Sequence, residues 1–437
     1  MRHILLMVSV LIALDAGAAT FVVNSTADQS DAVPGNGFCS VMTGICTLRA
    51  AIQEANALAG PDTIQLPANL YALSIAGVGE EMASTGDLDI RDDLTIDGAA
   101  AGTTFVDGST LDRVFHVQPM NSATLSVTIR DVTIQHGATT DIPGGGILHS
   151  DEGTLTVEDA VFDGNHVSGT TSSATGGAVA SVGGGHLTVR RSLFFDDSAS
   201  AGGAVFSNGT LRSFDSTFDS NTTTVGAVID SYGSSSVERC TFAGNQGSVI
   251  GSRTGSFIVS NSTLSGNVSS PGSTIVAVAP VVLGNSTVFG NSADRALAAY
   301  VAVSISNSVL AGNSAGDECV SYGGTITSLG HNLDDDGSCA NGGPGDLPAR
   351  DALLGPLADN SGPTLTHLPA LASPLANAGD NASCPLEDQR GFLRSVGPAN
   401  GCDIGSVEFA VPEPAAASLG AASLLALAAL RRSSSRA

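Results

Sequence analysis

A short pattern recurs through the middle of the chain, between about residues 125 and 315. Each instance is an apolar residue, two small or polar residues, and an asparagine. From Asn221 onward the asparagines follow one another at intervals of 24, 22, 24 and 22 residues. Short apolar runs separated by Gly and Asn at this period predict a β-solenoid. The instances join Phe162 to Asn165, Phe218 to Asn221, Phe242 to Asn245, Leu264 to Asn267, Val288 to Asn291 and Leu310 to Asn313.

If each repeat is one turn of a solenoid, equivalent side chains stack along its axis about 4.8 Å apart. The apolar positions then form a ladder inside the rod, and the asparagines form a second ladder at a corner. There each side-chain amide can bond the amides of the coils above and below it. Glycines in the elements that begin at Gly176, Gly202 and Gly226 supply positive φ or close approach at another corner.

The glycine-alanine elements pair with the phenylalanine-asparagine elements along the chain. This pairing resembles the repeats of polymorphic outer membrane proteins, which form right-handed parallel β-helices. The resemblance implies the same fold over residues 61–330. We therefore expect an all-β chain, a right-handed parallel β-helix with an N-terminal capping helix.

A solenoid exposes edge strands at its ends, and caps are needed there to prevent end-to-end pairing. The candidate at the N-terminal end is the segment from Thr47 to Leu58. Leu48, Ile52 and Ala55 fall on one helical face behind a threonine N-cap. This segment predicts a short amphipathic helix that covers the first coil.

Two stretches within residues 20–60 resemble the CSLREA domain of bacterial surface proteins. They run from Phe21 to Asp28 and from Cys46 to Ile52. That domain has Glu where this chain has Ala50, so the glutamate of a capping box is missing. The loss weakens the helix start by about 1 kcal/mol or less.

Residues 331–410 are similar to the choice-of-anchor Q region. Proteins that carry this region end in one of several alternative surface anchors. The similar segments run from Ser328 to Leu333, Leu353 to Asn360, Asp388 to Gly391 and Cys402 to Gly405.

Both ends of the chain carry targeting signals. Residues 1–19 combine a basic start, an apolar core and small residues, as a secretory signal peptide does. Residues 411–437 contain a Val-Pro-Glu-Pro motif, a short apolar run and two arginines, an order that places the arginines in the cytoplasm. The residues of this sorting motif are Val411, Pro412, Glu413, Pro414, Arg431 and Arg432.

This tail resembles the PEP-CTERM sorting signal of Gram-negative bacteria, which a membrane exosortase removes. The resemblance implies an exosortase-type sorting protease as a partner and a transient membrane segment at the C-terminus. It also implies that the protein is secreted or displayed at the cell surface after export through the inner membrane.

Composition excludes several kinds of chemistry. The formal net charge is -25, which repels nucleic acid and anionic headgroups. All 17 basic residues are arginine, so Schiff-base chemistry and Walker-type phosphate binding have no lysine to carry them. The chain has no Trp and four Tyr, which weakens a carbohydrate-binding interpretation because aromatic rings are the usual platform for sugars.

The seven cysteines of an exported chain are first interpreted as disulfides. Spacing predicts three local pairs and leaves Cys240 as a buried thiol in a strand, rather than a nucleophile. The predicted pairs are Cys39 with Cys46, Cys319 with Cys339, and Cys384 with Cys402.

The acidic clusters of the sequence do not form a recognisable active site. Asp92-Asp93 and Asp196-Asp197 are neighbours, and neighbours on a strand point to opposite faces. We interpret Asp196-Asp197 as a variant of the asparagine ladder, and Asp334 to Asp336 as a solvated turn rather than a calcium site. Arg190-Arg191 could meet an anionic polymer. We assign no catalytic, cofactor-binding or metal residues.

Three functional hypotheses follow. The first is an exosortase-processed β-helix protein of the cell surface or exopolysaccharide matrix with a structural or adhesive role and envelope glycans as partners. The second is a polysaccharide lyase or glycoside hydrolase on the same fold. The third is an adhesin stabilised by calcium, in which the ion is a structural cofactor.

Overall fold

A computed structural model describes residues 17–42, 44–120, 124–313, 316–339, 342–395 and 401–409. Within these residues, the strands form three long parallel sheets of 12, 13 and 12 strands. Each coil passes through the first sheet, then the third, then the second, before it returns to the first. The predicted right-handed parallel β-helix is confirmed.

Most of the strands are short, and each sheet collects them from successive coils. The first sheet consists of Thr20–Val22, Asp62–Leu66, Leu94–Gly98, Ser126–Arg130, Thr154–Glu158, His186–Arg190, Thr210–Phe214, Ser235–Glu238, Phe257–Ser260, Val281–Gly284, Ala302–Ser306 and Thr325–Gly330. The second consists of Leu88–Ile90, Phe115–Val117, Ala138–Thr140, Ile147–His149, His166–Ser168, Val179–Ser181, Ser198–Ala199, Val205–Ser207, Thr222–Ser231, Gln246–Ser252, Val268–Ala277, Ser292–Ala299 and Cys319–Ser321. The third consists of Leu70–Ala72, Phe105–Asp107, Thr133–Gln135, Val161–Asp163, Leu193–Phe195, Thr217–Asp219, Thr241–Ala243, Thr263–Ser265, Thr287–Phe289, Val309–Ala311, Leu333–Asp334 and Leu347–Pro348.

The one described helix, Leu48–Ala57, packs on the strands of the first coil. The Thr47 side chain accepts a hydrogen bond from the Ala50 amide, so this threonine is the N-cap. Arg49 is buried and forms an ion pair of 2.6 Å with Asp28. The helix thus covers the open end of the rod, where the sequence pattern predicts a cap.

Phenylalanines stack inside the rod in four consecutive coils. Phe162, Phe194, Phe218 and Phe242 are fully buried, and neighbouring ring centroids lie 4.7 Å apart. The same column continues through aliphatic side chains, beginning with Leu264. Because the rings repeat at the strand spacing, each one contacts its equivalents above and below.

The asparagine side chains form a continuous ladder at the corner after the third sheet. Asn245 illustrates the pattern: its Oδ1 accepts from the Asn221 amide at 2.9 Å, and its Nδ2 donates to the Phe218 carbonyl at 2.9 Å. Asn245 Nδ2 also donates to Asn267 Oδ1 at 2.8 Å. Every ladder side chain is buried, so these bonds satisfy backbone groups that water cannot reach. The ladder comprises Asn165, Asp197, Asn221, Asn245, Asn267, Asn291 and Asn313.

A second ladder, of hydroxyl groups, lies at the corner between the first and third sheets. The Ser262 amide donates to Ser286 Oγ at 3.2 Å, and the Ser286 amide to Ser308 Oγ at 3.2 Å. Cys240 occupies one position of this column, where its amide donates to Ser262 Oγ at 3.1 Å. Burial raises the pKa of the Cys240 thiol to about 11, which is the opposite of what a nucleophile needs.

Residues 349–395 and 401–409 fold back along the side of the rod, and we call them the cover. They include the antiparallel strands Leu354–Ala358 and Thr366–Pro369. Gln389 reaches the third sheet, where its Oε1 accepts from Thr263 Oγ1 at 2.6 Å and its Nε2 donates to Thr241 Oγ1 at 2.9 Å.

All three predicted disulfides are present: Cys39 to Cys46, Cys319 to Cys339, and Cys384 to Cys402. The last of these lies within the cover. Among the residues that the structure describes, no helix is long and apolar enough to cross a membrane.

Asp197 is the acidic exception in the asparagine ladder. Its Oδ1 accepts from Asn165 Nδ2 at 2.9 Å, but its buried Oδ2 has no hydrogen-bond partner. An asparagine there would place a donor at that position. Burial raises the pKa of Asp197 well above its ordinary value, so the folded state takes up a proton that the unfolded chain releases.

We predict that Asp197→Asn stabilises the protein at pH 7 by about 1–3 kcal/mol, because folding then no longer requires either a buried charge or the uptake of a proton at this position. A carboxyl group with a raised pKa in the folded state gives its full stability below about pH 4, and this is lost as pH rises toward the folded pKa. Above pH 4, the free energy of unfolding should therefore fall less steeply with rising pH in the variant than in wild type. Denaturant unfolding at several pH values measures both effects.

The matched control is Asp196→Asn, because Asp196 is the exposed neighbour with the same side chain. It should keep the wild-type pH dependence. If Asp197→Asn were less stable than wild type at pH 7, the interpretation of Asp197 as a destabilising member of the asparagine ladder would be wrong.

Candidate functional site

The cover determines which outer faces of the rod are open. It bonds to Thr241, Thr263 and Thr287 on the outer face of the third sheet. It also receives hydrogen bonds at the neighbouring corner from Asn261 and Asn285. The later coils of the third sheet are therefore closed to a ligand, and the earlier coils remain open.

Hydrogen bonds of Asp388 and Arg394 organise the cover. Asp388 Oδ2 accepts hydrogen bonds from Arg390 Nη2 at 2.7 Å and from the Glu408 amide at 2.9 Å. Arg394 is buried, and its guanidinium donates to Asn261 Oδ1 at 2.9 Å and to the Gly405 carbonyl at 2.8 Å. These contacts hold the cover together and fix it to the rod.

Three of the four tyrosines line one edge of the rod, on the side away from the cover's contacts. Tyr232, Tyr300 and Tyr322 each directly follow a strand of the second sheet. The backbone amide of each tyrosine donates to a carbonyl of the preceding coil. Arg253 and Val278 occupy the same position in the two coils between Tyr232 and Tyr300, and their amides bond in the same way. We call these five residues the tyrosine edge. Since three coils separate Tyr232 from Tyr300, their backbones lie about 14 Å apart along the axis.

The rings of the tyrosine edge are accessible. Tyr232, Tyr300 and Tyr322 are 43%, 47% and 43% exposed. The rings of Tyr300 and Tyr322 stack with centroids 5.1 Å apart, and the guanidinium carbon of Arg295 lies 5.3 Å from the Tyr322 centroid. Stacking and cation-π contact hold these rings in place without covering them.

A groove of about 460 Å³ adjoins the tyrosine edge. Phe206 lies in it, with its ring centroid 5.5 Å from that of Tyr232, and Val225 is 81% exposed. Arg253 Nε donates to Asp230 Oδ1 at 2.5 Å. Burial raises the pKa of Asp230, and the Arg253 guanidinium opposes that rise. Aromatic, aliphatic and paired charged groups therefore meet on one open surface.

A second groove, of about 570 Å³, lies over the corner between the first and third sheets. Arg191 crosses it and forms ion pairs with Glu158 at 2.5 Å and Asp159 at 2.7 Å. Arg190 instead lies over the Phe214 ring at 4.9 Å. Both arginines are exposed, but the guanidinium of Arg191 is already paired with carboxylates.

A row of acidic side chains lies on the open part of the third sheet. Asp107, Gln135, Asp163, Phe195 and Asp219 are in register on successive strands. Asp163 and Asp219 are two coils apart, so their backbones are separated by about 10 Å. Phe195, 39% exposed, lies between them.

The acidic segment from Asp334 to Asp336, at the C-terminal end of the rod, differs in part from the prediction. Asp334 is buried, so the interpretation of this segment as a solvated turn is wrong for that residue. The neighbouring Glu318 ends the asparagine ladder by accepting from the Asn313 amide at 2.8 Å. Burial raises the pKa of Glu318 to about 8. Cys339 lies close to both acids but is bonded to Cys319.

A compact group of charged residues beside the N-terminal cap was not found from the sequence. Glu81, Asp89 and His116 bring three potential ligand atoms close together. Asp89 and His116 are paired positions on neighbouring strands of the second sheet. Glu81 belongs to a loop between the first strands of the third and second sheets, so only the fold unites the three.

The sorting motif predicted at Val411 to Arg432 lies outside the described residues.

Comparisons with known proteins identify the fold. A family model described as a right handed beta helix region matches residues 120–288. The solved structure of pectate lyase Pel9A is similar with a TM-score of 0.53 and 15% sequence identity, over 91% of this chain and 98% of that one. The PL6 family alginate lyase AlyGC is 12% identical with a TM-score of 0.37, over 84% of this chain and 58% of that one. A comparison with curated protein sequences finds no match. At 15% identity, the similarity to pectate lyase Pel9A shows the parallel β-helix fold alone.

Proposed function

We propose that this protein is an exported β-helix rod of the cell surface or exopolysaccharide matrix, with a structural or adhesive role in which it binds polysaccharide along the tyrosine edge. The single observation that supports this role is the alignment of Tyr232, Tyr300 and Tyr322 on one exposed edge. The scarcity of aromatic residues argues against carbohydrate binding only if they are dispersed or buried. Here most of the tyrosines share one accessible surface.

The geometry of a solenoid suits a polymeric ligand. Equivalent side chains recur every coil, so a surface along the axis offers the same contacts many times. The flat ring of a tyrosine covers the apolar face of a sugar ring while its hydroxyl stays in water. A polysaccharide laid along the tyrosine edge can contact Tyr232 and, about 14 Å further on, the Tyr300 and Tyr322 pair.

Charge favours a polymer with few negative groups. The net charge of -25 repels polyanions over the rod as a whole. In the groove, the Arg253 guanidinium is already paired with Asp230. We therefore infer an uncharged or weakly charged glycan as the ligand.

We predict that replacing Tyr300 or Tyr232 by Ala weakens polysaccharide binding about 3- to 10-fold, because stacking of this kind contributes about 0.5–1.5 kcal/mol. The triple variant that also lacks Tyr322 should lose measurable binding. Affinity electrophoresis through gels containing dextran, a β-glucan, pectate or alginate compares the proteins.

The matched control is Phe38→Ala, since Phe38 is 73% exposed and lies in the N-terminal region. It should bind like wild type. Equal retardation of wild type and the triple variant in every gel would refute the tyrosine edge as the ligand surface.

Export and sorting are part of the proposal and rest on the sequence of the two ends. We predict that Pro412→Ala in the PEP-CTERM-like motif prevents exosortase-type processing. Fractions of the producing bacterium, probed with an antibody, should show a longer chain retained in the inner membrane. Unchanged processing, or a cytoplasmic wild-type protein, would contradict the sorting assignment.

A second candidate function is hydrolysis or lyase cleavage of a polysaccharide. The acidic row on the open third sheet favours it, since Asp163 and Asp219 flank an exposed phenylalanine. Their backbones are about 10 Å apart, slightly more than the roughly 6.5–9.5 Å that separates the two carboxyl groups of inverting glycosidases. This arrangement provides carboxylates that could serve as acid and base.

If the acidic row is catalytic, wild type should release new reducing ends or unsaturated products from a glycan, and Asp163→Asn should abolish the release. The Tyr300→Ala variant serves as a comparison, because it removes a different surface. We expect no product from pectin, alginate or neutral glucans, with or without calcium. Product formation that depends on Asp163 would replace the adhesive proposal with an enzymatic one.

A further inference from the structure

Glu81, Asp89 and His116 form a three-sided arrangement of potential metal ligands beside the N-terminal cap. His116 Nδ1 lies 3.3 Å from Glu81 Oε2 and 3.4 Å from Asp89 Oδ1. A charge-assisted hydrogen bond from a nitrogen to a carboxylate is about 2.7–2.9 Å long. Both distances are longer than that, although His116 and Asp89 are buried among well-packed neighbours.

The same distances suit a shared cation. Nitrogen and oxygen ligands lie about 2.1 Å from a tetrahedral zinc ion, which places neighbouring ligand atoms about 3.4 Å apart. By contrast, the half-exposed His136 approaches its single carboxylate, Asp107, at 3.1 Å, within the range of a hydrogen bond.

Asp89 gives independent support for a ligand. Its side chain is 1% exposed, and its Oδ1, which faces His116, has no hydrogen-bond partner. Its Oδ2 accepts from the Ala83 amide at 2.7 Å, which fixes the carboxylate. A buried carboxylate oxygen without a partner costs free energy unless something compensates it.

The imidazole of His116 is oriented for metal binding. Its Nε2 lies 3.0 Å from Ser150 Oγ on the far side of the ring. If Nε2 carries the proton and donates to the serine, Nδ1 presents its lone pair to the two carboxylates. A hydrogen bond at the second ring nitrogen is the usual way in which proteins orient a metal-binding histidine.

The surrounding charge also favours a cation. Asp87 and Asp112 lie nearby, and Arg113 is the cation that pairs with them, at 3.0 Å from Asp87 and 3.8 Å from Asp112. Glu81 and Asp89 therefore add two carboxylates that Arg113 does not neutralise.

We propose that Glu81, Asp89 and His116 bind a divalent transition-metal ion of the zinc type. One imidazole and two carboxylates match zinc better than calcium, which prefers oxygen ligands alone. Glu81 is 45% exposed, so solvent can supply a fourth ligand.

The ion would act as a clamp at the start of the rod. It would join the loop that contains Glu81 to the terminal strand Leu88–Ile90 of the second sheet and to the following strand Phe115–Val117. Arg49 and Gln53 of the capping helix already hold that loop through the Ala83 carbonyl. A clamp there would strengthen the cap over an edge strand, where uncontrolled pairing begins.

The test uses the purified full chain after treatment with a chelator. Wild type should bind one zinc ion per chain in a calorimetric titration, and zinc should raise the melting temperature reversibly. Cobalt should give the visible absorption of a tetrahedral site. Glu81→Gln, at the exposed ligand, should weaken zinc binding at least about tenfold without unfolding the protein, and His116→Gln should abolish it.

The matched control is His136→Gln, which removes a histidine that pairs with one carboxylate, and it should bind zinc like wild type. Equal zinc affinity in wild type and Glu81→Gln would overturn the proposal, as would the absence of stoichiometric binding. A melting temperature that rises with calcium but not with zinc would also overturn it.

Discussion

The register between successive coils is the constraint on which the rest of the structure depends. In a parallel stack, each amide ladder repeats at the strand spacing, so a residue type placed once per turn becomes a column. The buried asparagines enforce this register, because a one-residue slip would leave their amides and the neighbouring carbonyls without partners. The phenylalanine stack, the hydroxyl ladder and the tyrosine edge are all consequences of the same alignment.

The ladder also explains two of the buried acids of the rod, Asp197 and Glu318. Each amide in the column needs an acceptor in the next coil. A carboxyl oxygen provides this acceptor at Asp197, for Asn165, and at Glu318, for Asn313. At Glu318 the ladder ends, because no further asparagine follows Asn313 in the column. The raised pKa values of both carboxyl groups are the result of burial and are structural in origin. A perturbed pKa in this fold is therefore weak evidence for catalysis unless the group also faces an open surface.

The sequence predicts the coils well wherever their connections are short. From Asn221 onward the repeat is regular, and its apolar and asparagine positions fall in the core and at the corner. The earlier coils contain longer loops; the paired residues Leu155 and Leu187 are 32 positions apart, so periodicity weakens there. The tyrosine edge and the group around His116 were not predicted, because their members are far apart in sequence and depend on which positions align. The path of the cover could not be deduced either, since its contacts with the rod span more than 100 residues.

The cover and the capping helix make the outer faces of the rod unequal in their accessibility. A bare solenoid offers three equivalent outer faces, but in this protein the cover closes the later part of the third sheet with buried hydrogen bonds such as those of Gln389. The capping helix and its loop occupy the start of the second sheet. The surfaces left open along the axis include the second sheet's later coils, where Tyr300 and Tyr322 lie, and the acidic row. Since the tyrosine edge follows strands of the second sheet and the acidic row lies on the third sheet, the proposed binding and the alternative cleavage would use different surfaces. Selective loss of one activity after a single substitution can therefore distinguish them.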